Sequence, residues 1–329
     1  MNPERITRMA SAFYESCILF TATDAGVFEA LAALGTAPVG RVAERCGLDV
    51  RGARLLLDAC VAVELLQKAG ELYRNSPEAD AFLVPGARGD LTGAIRYNRD
   101  VYGAWGKLPE FARTGRPVES PQLHLGADDA RTRAFVMSMH GRALGIGQAV
   151  VPSLDLSGVR HLLDVGGGPG TFAALIARAH PSITCTVIDL PPIVKIAEEL
   201  LAQQGVGDRV HTIAGNYHEV AFPENQDAVL FSGVLHQESA ESIQRLLRRA
   251  YAALAPGGRV MVLDLMTDMT HANPPFSALF AVNMALTTDA GWVFSDNELA
   301  GWMSAAGFRE FSCRALPPPM PHWHAMAVK

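Results

Sequence analysis

Among the ten histidines of this 329-residue chain, His236 has a distinctive setting. It follows the apolar run Asp227-Ala-Val-Leu-Phe231 and the short turn Ser232-Gly-Val-Leu235, so it falls at the carboxyl end of a predicted strand. Open α/β sheets place their chemistry at that end, and an imidazole there is suited to taking a proton near neutral pH. Upstream, Val159-Arg-His-Leu-Leu leads into Asp164, Val165 and the loop Gly166-Gly-Gly168-Pro-Gly170. Glycines of this kind let the backbone touch a ligand and adopt φ > 0. Asp164, at the mouth of the loop, would repel a pyrophosphate and suits a ligand that carries positive charge. A second acid, Asp189, ends the run Ile183-Thr-Cys-Thr-Val-Ile188 roughly 20 residues past the last loop glycine, where a carboxylate can accept from both hydroxyls of a ribose.

The loop is not a dinucleotide fingerprint, because the sixth position counted from Gly166 is Thr171 where Gly or Ala is needed. Nor is it a P-loop, since no Gly-Lys-Ser/Thr follows. To position these groups the chain must alternate strands and helices. Phe172, Leu175, Ile176 and Ala179 recur at helical spacing after the loop. Leu190-Pro191-Pro192 opens another helix, for which Asp189 is also a candidate N-cap. Arg209–Ala214 reads as a third strand, Asp227–Phe231 as a fourth and Arg259–Leu263 as a fifth that ends at Asp264. Between the last two, a helix starting after Ser239 holds Ile243, Leu246, Leu247, Ala250 and Leu254 on one face, with Pro256-Gly-Gly258 as its predicted stop. Ser295 and Glu298 form a capping box for a helix to Ala306. Phe308–Arg314 and Ala325–Val328 are then expected to close the sheet as an antiparallel pair. His322 and His324 share a strand face, but two ligands do not make a metal site, and no metal is expected.

The formal charge of −6 argues against a nucleic-acid backbone as the main partner. Five scattered cysteines without C-x-x-C spacing imply a reducing compartment. No secretory signal or membrane span is visible, so the cytoplasm is the expected location. Residues 5 to 34 read as two amphipathic helices, with Ile6, Met9, Ala10, Phe13, Cys17 and Phe20 on one face and Val27, Leu31 and Leu34 on another. Val39–Gly47 and Asp49–Leu66 read as helix, turn, helix, with Asp49 as a cap and Gly70–Asn75 as a hairpin wing. The exposed second helix mixes Arg51 and Arg54 with Asp58 and Glu64, which favours a packing and dimerisation module over a DNA reader.

The Asp164-x-Gly-x-Gly-x-Gly170 run resembles the first motif of the class I S-adenosylmethionine (SAM)-dependent methyltransferases. Over nearly the whole chain, and most closely from 159 to 264, the order of motifs is similar to that of the O-methyltransferases of the caffeic acid and acetylserotonin type. The resemblance implies an α/β fold: a Rossmann-like, doubly wound seven-stranded sheet with an antiparallel last strand, plus a mostly helical winged-helix dimerisation domain. It implies boundaries at 1–95 for dimerisation, 96–152 for a helical linker lining the acceptor pocket and 153–329 for the SAM-binding domain. SAM is the implied cofactor, leaving as S-adenosyl-L-homocysteine. Its expected ligands are Asp164, Gly166, Gly168, Gly170, Asp189, Leu190, Gly215, Asn216, Tyr217 and Ser232. Asn216 stands where the family carries Asp, and its amide oxygen can still accept from adenine.

Val-Leu-His236-Gln237 aligns with a segment reading His-Asp-Trp in plant relatives, whose His is the base. Relatives orient that base with two carboxylates. The first falls 28 residues on, at Asp264; the second would fall near Trp292-Val-Phe294, where there is no acid. Trp105, Met137, His140 and Asn283 are the expected acceptor-pocket residues. The implied reaction is methylation of an aromatic hydroxyl on a small, secondary-metabolite-like molecule by a homodimer. Alternatives left open are a relative that keeps SAM but decarboxylates, hydroxylates or rearranges its substrate, a nitrogen or carbon methyltransferase, and a winged-helix regulator that senses SAM.

Overall fold

Periodicity in the first hundred residues resolves into short helices round a small sheet: α1 (Glu4–Ser11), α2 (Phe13–Asp24), α3 (Val27–Leu34), β1 (Ala37–Pro38), α4 (Val39–Cys46), α5 (Val50–Ala62), β2 (Leu66–Ala69), β3 (Leu72–Asn75) and α6 (Pro77–Phe82). The computed structural model describes residues 2–87, 89–318 and 320–329. It divides into two compact units between Arg99 and Asp100.

In the first unit Asp49 caps α5 by accepting from the Gly52 N–H at 3.0 Å. The three strands run in the order β1-β3-β2, with Leu66 opposite Asn75 across the β2–β3 hairpin. Phe28, Leu31, Leu57 and Tyr73 are fully buried and form its core. Two sequence boundaries move. The expected pair of helices over residues 5–34 is three, interrupted at Ala12 and again at Gly26, whose φ of 70° no continuing helix tolerates. Ile6 (65 % exposed), Met9 (63 %) and Phe13 (48 %) lie outside the cores formed by the described residues. The second expected helix stops at Ala62, and Leu66 already belongs to β2.

Helix α7 (Thr92–Trp105) leads to the second unit, which holds α8 (Leu108–Thr114), α9 (Asp129–Val150), β4 (His161–Val165), α10 (Thr171–Ala179), β5 (Thr184–Asp189), α11 (Pro191–Gln203), β6 (Val210–Ala214), β7 (Gln226–Ser232), α12 (Ala240–Ala253), β8 (Leu254–Asp264), α13 (Pro275–Thr287), α14 (Asp296–Ala305), β9 (Arg309–Ala315) and β10 (Trp323–Val328). The seven strands order as β6-β5-β4-β7-β8-β10-β9, and β10 runs antiparallel to both neighbours. Alternation along β8 explains the layering. Met261 and Leu263 face a core that includes Phe172 and Ile176 of α10, while Val260 and Val262 face one that includes Ile243 and Leu247 of α12. The sheet is therefore covered on both sides, as a doubly wound fold requires. Strand order reverses between β4 and β7, and ligands of such sheets bind outside the carboxyl ends at that switch point.

Pro256-Gly-Gly258 does not stop the preceding helix. That helix ends at Ala253, and the three residues lie inside β8, where the pairing register shifts against β7 and Gly257 takes φ 80°. No single helix among the described residues is long and apolar enough to cross a membrane.

Candidate active site

Three of the four loop glycines, Gly166, Gly168 and Gly170, have φ of 66°, 55° and 70°, the left-handed region that side chains disfavour. A Cβ on Gly166 would stand 2.8 Å from Val234 Cγ2, whereas one on Gly168 would project into open space. The loop is therefore packed on its inner side and open at Gly168, a cradle that a side chain would fill. Gly170 forms the N-cap of α10, so the open backbone faces the positive end of a helix.

Asp164 is fully buried in β4, and neither of its carboxylate oxygens has a hydrogen-bond partner among the described residues. Burial first, then the charge of Asp189, pushes its carboxyl up to about 7. Asp189 ends β5, with Oδ2 accepting from the Gly168 N–H and Oδ1 from the Leu190 N–H, both at 2.7 Å. Burial raises it to about 6 against those two bonds. The expected capping role of Asp189 is corrected: the N-cap of α11 is Leu190, with no side-chain cap, and Asp189 lies one residue outside it, turned to the glycine loop. Both carboxylates lie against the glycine loop: Asp189 accepts from the Gly168 N–H, and Asp164 Oδ2 would stand 2.6 Å from a Cβ on Gly167. A buried, unpartnered carboxylate is costly unless a cation or donor answers it. These residues fit a cofactor that presents a cationic group to Asp164 and hydroxyls to Asp189.

Gly215 joins this corner through its N–H to the Asp189 carbonyl at 2.8 Å, and its bare α-carbon lets Val220 pack against it. Tyr217 lies against the same loop, its ring carbon 3.4 Å from where a Gly166 Cβ would be. Asn216 turns its amide on its own loop: Oδ1 accepts from the His218 N–H at 3.0 Å and Nδ2 donates to Glu219 at 3.3 Å. Ser232 is the last residue of β7, paired with Leu263 of β8.

Gly233 (φ 67°) turns the chain out of β7 into a 3-10 turn, Leu235–Gln237, that carries His236. Asp264, fully buried at the end of β8, accepts from His236 Nδ1 at 2.5 Å, from the His236 backbone N–H at 3.3 Å and from the Leu265 N–H at 2.8 Å. A carboxylate in that position assigns the proton to Nδ1 and leaves Nε2 as the basic nitrogen. Where the sequence places a second orienting acid, the structure has Trp292. Its backbone N–H donates to the His236 carbonyl at 2.9 Å and its indole Nε1–H to the Glu238 carbonyl at 3.0 Å. The indole thus braces the backbone of the turn and leaves the imidazole to a single carboxylate.

The expected pocket residues separate. Trp105 Nε1 donates to Asn283 Oδ1 at 2.8 Å, joining α7 to α13. His140, half-buried on α9, meets the Thr171 hydroxyl at 2.8 Å, beside the glycine loop, and burial lowers its pKa. Met137 is exposed. Two participants escaped the sequence. Phe280 sets its ring edge-on to His236 at 5.2 Å, but α13 is apolar on several faces and gives no sign of which side meets the base. Glu238, two residues past the base, accepts from the Tyr217 hydroxyl at 2.6 Å and from Ser242, and pairs with His218 at 3.0 Å. It ties the Gly215–Tyr217 corner to the turn of His236. Replacing Glu238 with alanine leaves the half-buried Tyr217 hydroxyl without this acceptor, a loss of about 1 kcal/mol. The expected result is a melting temperature lower by several degrees, with Glu238→Gln intermediate; equal melting curves for alanine and wild type would remove this role.

Family models match both parts of the chain: an O-methyltransferase dimerisation domain over residues 7–85 and an O-methyltransferase domain over residues 115–309. The tetracenomycin polyketide synthesis 8-O-methyl transferase TcmO of Streptomyces glaucescens is 34% identical over 97% of this chain and 95% of its own length. The 3-hydroxy-5-methyl-1-naphthoate 3-O-methyltransferase of Streptomyces sahachiroi is 32% identical over 94% of this chain and 90% of its own. Among solved structures, human N-acetylserotonin methyltransferase in complex with SAM superposes with a TM-score of 0.90 at 26% identity, covering 99% of this chain and 97% of that one.

Proposed function

This chain belongs to the O-methyltransferase family, and on that premise we propose that it methylates an aromatic hydroxyl of a small secondary metabolite with His236 as general base. It is a SAM-dependent O-methyltransferase, and SAM is its cofactor. The dimerisation domain supports a homodimer, and we assign the exposed apolar face of Ile6, Met9 and Phe13 to the pairing surface.

The observation that carries the reading is the buried Asp264–His236 contact at the carboxyl end of the sheet. Bound SAM supplies a methyl group on a sulfonium, open to in-line displacement. The chain's own residues do the rest. Asp164 answers positive charge on the cofactor, Asp189 accepts from its ribose hydroxyls, and the open backbone at Gly168 makes room. Gly215, Asn216 and Tyr217 form the corner for adenine, with Leu190 and Ser232 completing the wall. A phenol with a pKa near 10 is mostly protonated at neutral pH, so His236 Nε2 takes its proton as the oxygen attacks. Asp264 keeps the opposite nitrogen protonated and steadies the imidazolium that forms. Trp105, Met137, His140 and Asn283 are the acceptor-side residues of this proposal, drawn from the helices that precede β4 and from α13.

Methyl-labelled SAM offered with a panel of naphthols, quinols and related hydroxyarenes tests it. The labelled methyl is expected on a former hydroxyl oxygen of the acceptor, as an aryl methyl ether. Tight SAM binding with no label leaving it, or label only on nitrogen or carbon, would refute the aromatic-hydroxyl assignment.

A further inference from the structure

Glu238 and Trp292 take no part in the chemistry above, yet both are bonded to the groups that do. Glu238 stands two residues past His236 and directly before Ser239, the N-cap of α12. Its carboxylate accepts from the Tyr217 hydroxyl at 2.6 Å, from His218 Nε2 at 3.0 Å and from the Ser242 hydroxyl. Its backbone carbonyl accepts from the Trp292 indole at 3.0 Å. The Trp292 backbone N–H in turn donates to the His236 carbonyl at 2.9 Å. A continuous run of hydrogen bonds therefore leads from the Gly215–Tyr217 corner to the peptide that carries the base.

The fold has other ties at each end of this run. Arg249 of α12 donates to the Tyr217 and Val220 carbonyls and lies 4.2 Å over the Phe222 ring, so the backbone of the corner keeps its place without Glu238. Helix α12 is capped by Ser239, which accepts from the Ser242 N–H at 3.2 Å. At the other end Asp264 holds the imidazole and the N–H of residue 236. What the Glu238 carboxylate adds is the placement of the Tyr217 ring. That ring meets the glycine loop at Gly166, where its edge would stand 3.4 Å from a Cβ, and Val234 would stand 2.8 Å from the same point. Val234 opens the turn that carries His236. The loop, the Tyr217 ring and the turn of the base are thus in contact at one glycine, and Glu238 bonds the second of these to the third. Hydrogen bonds to a carboxylate are strong and directional, so a ring position at Tyr217 is also a position of the turn.

Resting on the reading of His236 as the base and of the Gly215–Tyr217 corner as the seat of adenine, we propose that Glu238 and Trp292 are positioning residues that couple the alignment of the base to the cofactor. Adenine in the corner selects one placement of the Tyr217 ring. Glu238 and Trp292 select the matching placement of residue 236, so the imidazole is fully aligned only beside a bound methyl donor. Neither residue touches the reacting atoms; both act through the turn. The coupling also suits a base that has a single carboxylate to orient its ring, because Asp264 fixes the imidazole side of residue 236 and Trp292 its carbonyl side.

The test follows the Nδ1–H that Asp264 holds, by proton NMR of the full chain with histidine labelled at its ring nitrogens; its resonance is the one that His236→Ala removes. Adding S-adenosylhomocysteine to wild type is expected to shift this resonance and to slow its exchange with water at least about threefold. Glu238→Ala and Trp292→Phe should still bind S-adenosylhomocysteine, within about fivefold of wild type by calorimetry, but their resonance should no longer respond. Glu238→Gln, whose amide oxygen still accepts from Tyr217, should recover most of the response. Tyr217→Phe, which loses one hydroxyl, repeats the test if Glu238→Ala does not fold. An Nδ1–H that ignores the cofactor in wild type, or answers it equally in wild type and variants, overturns the inference. Kinetics separate it from the base assignment. With the hydroxyarene that takes label from the panel above, Glu238→Ala should lose about tenfold in kcat at pH 7 with KM unchanged. It should regain that loss as the pH nears the phenol's pKa of about 10, because a misaligned base matters only while the phenol is protonated. A deficit equal at every pH strikes the positioning role alone, whereas a full-rate His236→Ala strikes the base assignment and the proposal with it.

Discussion

The His236→Ala variant is expected to transfer methyl at least about 100-fold more slowly at pH 7, the usual loss when a positioned base is removed, while binding SAM within about twofold of wild type. Among the described residues, the His236 imidazole is the side chain that Asp264 holds by a hydrogen bond. The backbone N–H of residue 236 still reaches that carboxylate in the variant, so the turn should hold. The pH profile separates chemistry from damage. Without its base the enzyme depends on acceptor that is already ionised, so the variant's rate should climb about tenfold per pH unit toward the phenol's pKa near 10, where wild type is flat. Asp264→Asn belongs to the same test. An amide that presents N–H to Nδ1 reverses the tautomer and should bring a loss of similar kind. A His236→Ala enzyme that keeps a third of the wild-type single-turnover rate would leave proximity alone as the source of catalysis.

SAM affinity should fall as the solution is acidified, and the residues responsible are Asp164 and Asp189. Both are protonated more readily in the folded protein than in the unfolded chain, where an aspartate sits near 3.9; burial carries them to about 7 and about 6. A cationic ligand at Asp164 and a diol at Asp189 favour the ionised forms. The association constant should therefore decline below about pH 7, by up to tenfold per unit, and more steeply below about pH 6. Asp164→Asn should remove the upper limb, and Asp189→Ala should weaken SAM at least about tenfold at pH 8.

The same shifts fix the sign of the stability effect. A carboxyl whose folded pKa is raised contributes stability below its unfolded pKa, and that contribution is lost as pH rises through the folded value. Without cofactor, the protein should therefore lose stability between about pH 4 and pH 7. Asp164→Asn should then melt higher than wild type at pH 8 and no higher at pH 5. Calorimetric binding constants and melting curves across that range check both statements. A SAM affinity flat from pH 5 to pH 8 contradicts them.

Much of this molecule is written in local patterns. The loop from Gly166 to Gly170 takes φ > 0 at three glycines, strand periodicity places Asp164, Asp189 and Asp264 at the carboxyl ends of β4, β5 and β8, and His236 follows on the turn after β7. The capping box of Ser295 with Glu298 forms as its spacing dictates. The resemblance to the O-methyltransferases rests on these same stretches, because backbone geometry and strand ends constrain residue type within a few positions.

What lies between the elements was decided by packing. The sequence shows that the second orienting acid is missing, but not that Trp292 braces the backbone behind His236 in its stead. It does not show that Glu238 joins Tyr217, Ser242 and His218, or that His140 turns to Thr171. Arg142 of α9 and Phe280 of α13 meet beside His236 although they lie 280 − 142 = 138 residues apart in the chain. No periodicity relates them, since each element fixes only which way its own side chains face. Their convergence on His236 depends on how the helices lie over the sheet, a long-range packing result that local spacing does not encode.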